Sequence, residues 1–89
     1  MVNFQIGQIV FSKNGRDKGV SFIVLAVEGE YLYLADGNRR QKDKPKKKKQ
    51  KHVQPTNTVS ESVVVAINCD RLLDSDLRKA LAEFESRER

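Results

Sequence analysis

Nine of the chain's 17 lysines and arginines fall within thirteen residues: Arg39, Arg40, Lys42, Lys44, Lys46, Lys47, Lys48, Lys49 and Lys51, opposed by a single acid, Asp43. The segment carries a local net charge of +8 in a protein of net +5, so the other 76 residues sum to −3. Basicity is therefore a local device. A field this concentrated has phosphate as its natural counter-charge, because a phosphodiester backbone needs only ammonium and guanidinium groups within reach. A solvated loop, and a contact with an anionic membrane or a nuclear-import signal, are the competing readings, but four consecutive lysines flanked by five further bases exceed what solubility requires. A second charged cluster, Gly15-Arg16-Asp17-Lys18-Gly19, interrupts two apolar runs. Two glycines at that spacing mark a sharp turn that needs positive φ or close backbone approach. Such a turn displays Arg16 and Lys18 to an anionic backbone, while Asp17 is expected to fold back onto the turn amides. His52, beside Lys51, is placed to contact a phosphate or stack on a base.

Catalysis finds no comparable foothold. His52 is the chain's one histidine and Cys69 its one cysteine, so neither a metal-ligand set nor an internal disulfide can be assembled from them. Asp70, Asp74 and Asp76 cluster, but Asp74 and Asp76 are better explained as groups at a helix start. No enzyme, cofactor or metal is expected. Tyr31 and Tyr33 alternate along a strand, a spacing that serves core or rim packing as well as base stacking, and both readings stay open.

The elements that must hold these residues follow from periodicity. Aromatics are 7% of the chain and Trp is absent, so one small core of Val, Ile and Leu is predicted. Gln5–Phe11, Ser21–Val27 and Tyr31–Ala35 read as strands joined by short turns, the second an almost unbroken apolar run that argues for burial and the third with Tyr31, Tyr33 and Ala35 on one face and Leu32 and Leu34 on the other. The stretch from Arg39 to Lys51 contains Pro45 and no apolar residue, which predicts an extended, mobile loop that buries nothing. His52 to Gln54 supply a short closing strand that Pro55 stops. Thr56 to Asn68 reads as a helix, with Val59, Val63, Ala66 and Ile67 on one face and a capping box of Thr58 and Glu61. A last helix, capped by Asp74 or Ser75, carries the stripe Leu77, Ala80, Leu81 and Phe84 and should dock on the sheet. A small half-open barrel is the economical way to hide the sheet edges.

At the level of motif, the run IGQIVFSKNGRDKG followed by an apolar strand resembles the KOW motif of ribosomal proteins and transcription elongation factors. With YLYLADGNRR, PKKKK and His52 added, the chain is most similar to small bacterial KOW proteins related to the archaeal and eukaryotic large-subunit ribosomal protein family of the fourteen-e type. The resemblance covers about residues 4–56 and continues more weakly through TNTV and DSDLRKAL, where it also favours a helix for the valine segment. It implies an SH3-like barrel that binds RNA, with Gly19 at the characteristic glycine. In one departure, Val20, Ser21 and Phe22 stand where many KOW motifs place another glycine, which bears on the width of the loop.

The resulting expectation is a mainly β chain: an SH3-like KOW barrel over residues 1–56 with a basic loop at 38–52, then a helical extension over 57–89. Its partner would be RNA, ribosomal RNA or the ribosome above all, gripped by Arg16, Lys18, Arg39, Arg40, Lys42, Lys44, Lys46, Lys47, Lys48, Lys49, Lys51 and His52, with Gly15 and Gly19 shaping the turn. An SH3-like protein-interaction module is the alternative. No apolar window approaches the roughly 20 residues of a membrane span, and no export signal is visible at the amino terminus. A reducing, cytoplasmic setting is expected, with no membrane partner.

Overall fold

The apolar run beginning at Ser21 has a core to fill on each of its faces, and this decides the architecture. In the computed structural model, which describes residues 3–87, the run forms β2 (Ser21–Glu28) between β1 (Gln8–Ser12) and β3 (Tyr31–Ala35). On one face Phe22 and Val24 join Val10, Leu32, Leu34 and Val53 in a core under the curve of the sheet. On the other face Ile23 joins Ile9 and Ala35 beneath two helices. Strand periodicity sends neighbouring residues to opposite faces, so a strand buried twice must be apolar throughout. The register shifts between Val24 and Ala26, and Leu25 packs at the edge of the helix-side core.

Two outer strands complete the sheet. β4 (Lys46–Lys49) pairs with β3, and β5 (Val53–Val59) pairs with β1, giving the all-antiparallel order β4-β3-β2-β1-β5. A single 3-10 turn, Gln50–His52, joins the outer strands, and no ladder pairs them with each other among the described residues. The chain ends in α1 (Glu61–Asn68) and α2 (Asp74–Arg87). This is the mainly β arrangement with C-terminal helices that the sequence predicts, and it is compatible with the SH3-like class that the resemblance implies. As expected, α2 docks through Leu77, Ala80, Leu81 and Phe84, with the Phe84 ring 6.0 Å from that of Phe11. Among the described residues no helix is long and apolar enough to cross a membrane.

Three boundaries differ from the sequence reading. Lys46 to Lys49 are not a mobile loop: they form a strand in which Lys46 faces Leu34 and Lys48 faces Leu32. Ladder bonds are made by the backbone and are indifferent to side-chain charge, and lysines on an outer strand discourage further pairing there. Pro55 does not stop β5. It lies opposite Val10 on an outer strand, where one face of the backbone needs no N–H partner. Finally, Thr56 to Val59 are strand, and the helix starts only at Glu61. Pairing of Val59 with Gln8, and a hydrogen bond from the Thr56 hydroxyl to the Ile9 carbonyl at 2.6 Å, outweigh the helical pattern. The expected Thr58 cap is replaced by Ser60, whose hydroxyl accepts from the Val63 N–H.

Candidate nucleic-acid interface

Two loops at one rim of the sheet carry the charge. The first, between β1 and β2, turns as the glycine spacing requires: Gly15 and Gly19 have φ of 86° and 85°. The Gly19 N–H donates to the Ser12 carbonyl at 2.8 Å and the Val20 N–H to the Asp17 carbonyl at 2.9 Å. These bonds leave Arg16 and Lys18 exposed.

Asp17 does not fold back onto the turn amides. Its side chain, 13% exposed, accepts hydrogen bonds from the Ser12 hydroxyl at 2.8 Å, from Lys46, and from Lys48 at 3.3 Å. Partial burial pushes the carboxyl up, but hydrogen bonds from Lys46, Ser12 and Lys48 and the charge of Lys48 together outweigh it. The group is held well below the usual carboxylate range. Lys48 is 10% exposed and donates also to the Ser12 hydroxyl and, at 2.8 Å, to the Asn14 carbonyl. Strand alternation thus splits the polylysine run. Lys46 and Lys48 turn toward the β1–β2 loop, while Lys47 and Lys49 lie on the opposite face. There the Lys47 ammonium sits 4.5 Å from the centre of the Tyr31 ring and 6.0 Å from that of Tyr33, and Lys49 sits 5.9 Å from Tyr31 and 3.6 Å from the Glu30 carboxylate. Tyr31 and Tyr33 are half-buried beside their own lysines.

The second loop, between β3 and β4, is anchored at several points. The Asp36 carboxylate accepts from the Asn38 N–H at 3.0 Å and the Arg40 N–H at 2.9 Å, a turn-nucleating use of Asp. Arg78 of α2 donates to the Gly37 carbonyl at 2.7 Å. A side chain at position 37 would collide with the Asp74 carbonyl, so the helix and the turn can approach this closely only because residue 37 is glycine. Asp74, predicted as a helix cap, instead accepts from the Lys42 N–H at 2.7 Å, while the Asp76 carboxylate caps α2 by accepting from the Leu73 N–H at 2.9 Å. Lys42 pairs with Asp43 at 2.9 Å, whose hydrogen bond and charge push the Lys42 ammonium up. Arg39, Arg40 and Lys44 are exposed.

The two loops meet. Arg16 from the first, Arg39 and Arg40 from the second, and Lys46 at the start of β4 line one open cleft of about 330 Å3, with Asp17 and the buried Phe22 completing it. A neighbouring hollow beside α2 shares Arg39 and adds Arg78, Asp36 and Glu85, a mixture of signs. Of the other candidates, His52 is half-buried, and its Nδ1 faces the Asn14 side-chain amide, which makes that nitrogen the acceptor. Lys51 is exposed in the 3-10 turn, apart from the cleft. Ser12, Asn14 and Arg78 were invisible to sequence reasoning, and Asp74 was legible only as a helix-start group, because their roles here depend on partners distant in the chain. A scan against family models and a search of curated proteins find no match.

Proposed function

We propose that this chain is a non-catalytic RNA-binding module of the KOW type that grips the sugar–phosphate backbone of structured RNA, with the ribosome or translation apparatus as its setting in the cytoplasm. The observation that carries this reading is the convergence of Arg16, Arg39, Arg40 and Lys46 on one cleft from two separately anchored loops. Planar guanidinium groups match phosphate oxygens two at a time, and three of them in one concavity favour phosphate over an isolated carboxylate. The glycine turn and SH3-like strand order agree with the KOW resemblance. Apart from the buried Phe22, the cleft is lined by charged groups, which suits recognition of backbone and shape rather than base sequence.

Binding of a fluorescent RNA hairpin by the wild type and by Arg16→Ala/Arg39→Ala/Arg40→Ala, from about 50 to 200 mM salt, tests the proposal. Four to five phosphate contacts give a slope of log K against log salt of roughly −3 to −4.5, which the triple variant should flatten by about 2 to 3. A shallow slope that the arginine changes leave alone rejects it. Assemblies in lysate that survive nuclease treatment would then favour the protein-interaction alternative.

A further inference from the structure

The walls of the cleft are coupled through one carboxylate. Asp17 follows Arg16 directly in the chain, and Lys46 opens the strand that leaves the loop bearing Arg39 and Arg40. The Asp17 side chain bonds to Lys46 and Lys48 on β4 and to Ser12 on β1, so the β1–β2 loop is fastened to both. We propose that Asp17 is the positioning residue of the RNA grip: it holds Arg16 at a fixed place opposite Arg39 and Arg40, so that one backbone segment meets all three arginines without prior ordering of the loop. The inference rests on the RNA-binding reading of the cleft.

Charge counting predicts the reverse. An acid in a basic cleft repels phosphate, and its removal should tighten binding by adding a positive charge and releasing two lysines. The geometry argues otherwise. An ammonium has three N–H donors, and Lys48 spends them on the Ser12 hydroxyl, the Asn14 carbonyl and Asp17, with the side chain 10% exposed. Lys48 is not within reach of a ligand, so the only charge that Asp17 withdraws from the cleft is that of Lys46, whose side chain stays 26% exposed. What Asp17 supplies is order. Besides its turn hydrogen bonds the β1–β2 loop is tied down at its start, by the Lys13 N–H on the His52 carbonyl at 2.9 Å and by Asn14 on Lys48 and His52, but Arg16 lies beyond these ties and without the carboxylate would have to be ordered at the moment of binding.

Two variants separate these accounts in the full chain. Asp17→Asn raises net charge by one, and Asp17→Asn/Lys48→Met removes both members of the buried pair at unchanged net charge, sparing the fold an uncompensated ammonium. Both should bind the fluorescent hairpin about threefold to tenfold more weakly at fixed salt, the factor set by ordering one long side chain on binding. Asp17→Glu, which keeps the carboxylate, should recover most of the affinity. Hydrogen exchange on the free proteins should show the Gly19 and Val20 amides opening faster in both variants than in the wild type. Affinity equal to or tighter than wild type in the charge-neutral double variant overturns the positioning role while leaving RNA binding intact. Faster amide exchange with no salt-dependent RNA binding by the wild type would instead remove the RNA-binding reading, and the inference with it.

Discussion

Adjacent lysines in a run of four should behave in opposite ways, and Lys48→Ala against Lys47→Ala is the sharpest comparison. Lys48 is 10% exposed and shares hydrogen bonds with Ser12, Asn14 and Asp17, whose carboxylate is itself 13% exposed. Truncation leaves Asp17 with Lys46 and Ser12 alone and strips the Asn14 carbonyl of a donor. Breaking a fully buried ion pair costs about 3–5 kcal/mol, and this pair lies at a rim where water can partly compensate, so about 2–3 kcal/mol is the working figure. For a chain of this size each kcal/mol moves Tm by roughly 4–8 °C, which puts the loss at about 8–24 °C. Lys47 is exposed, and its main contact is the Tyr31 face at 4.5 Å, worth about 0.5–1 kcal/mol at such a site. Its truncation should lower Tm by less than about 8 °C. Thermal unfolding followed by circular dichroism at 150 mM salt measures both. Equal, small losses would mean that the lysine run is the solvated loop its composition predicts and that the Asp17 contacts contribute nothing.

Two further outcomes bear on the same rim. Because the folded-state carboxyl of Asp17 is held below its ordinary range, it stabilises the fold fully above about pH 4, and that contribution is lost as pH falls through the depressed value. Urea midpoints between about pH 2 and 5 should therefore fall less steeply for Asp17→Asn than for the wild type; parallel curves would show that the carboxyl is not depressed. Gly19→Val places a β-branched side chain at φ 85°, where open space spares it a clash but not backbone strain, and should cost about 1–3 kcal/mol in urea unfolding. An unchanged midpoint would show that the turn relaxes to a φ that valine tolerates.

What the amino-acid sequence determined by itself was everything that depends on contiguous residues. The alternation of Leu32 and Leu34 with Tyr31 and Tyr33, the unbroken apolar run of β2, the helical stripe from Leu77 to Phe84 and the glycine turn all report burial or backbone freedom within a few residues, and each stands where its pattern placed it. The charged candidates Arg16, Arg39 and Arg40 were likewise legible as charge. Tertiary structure alone decided which charges face a ligand and which face one another. Lys46 and Lys48 are 29 and 31 residues from Asp17, and no local period encodes that meeting. The lysine run became a strand because β3 offered it a ladder, and Pro55 entered one because β5 is an outer strand. Thr56 to Val59 took strand geometry because β1 was there to pair with them. In each case the deciding energy lies in backbone bonds or an ion pair to a distant partner, and that partner comes within reach only after the chain has folded.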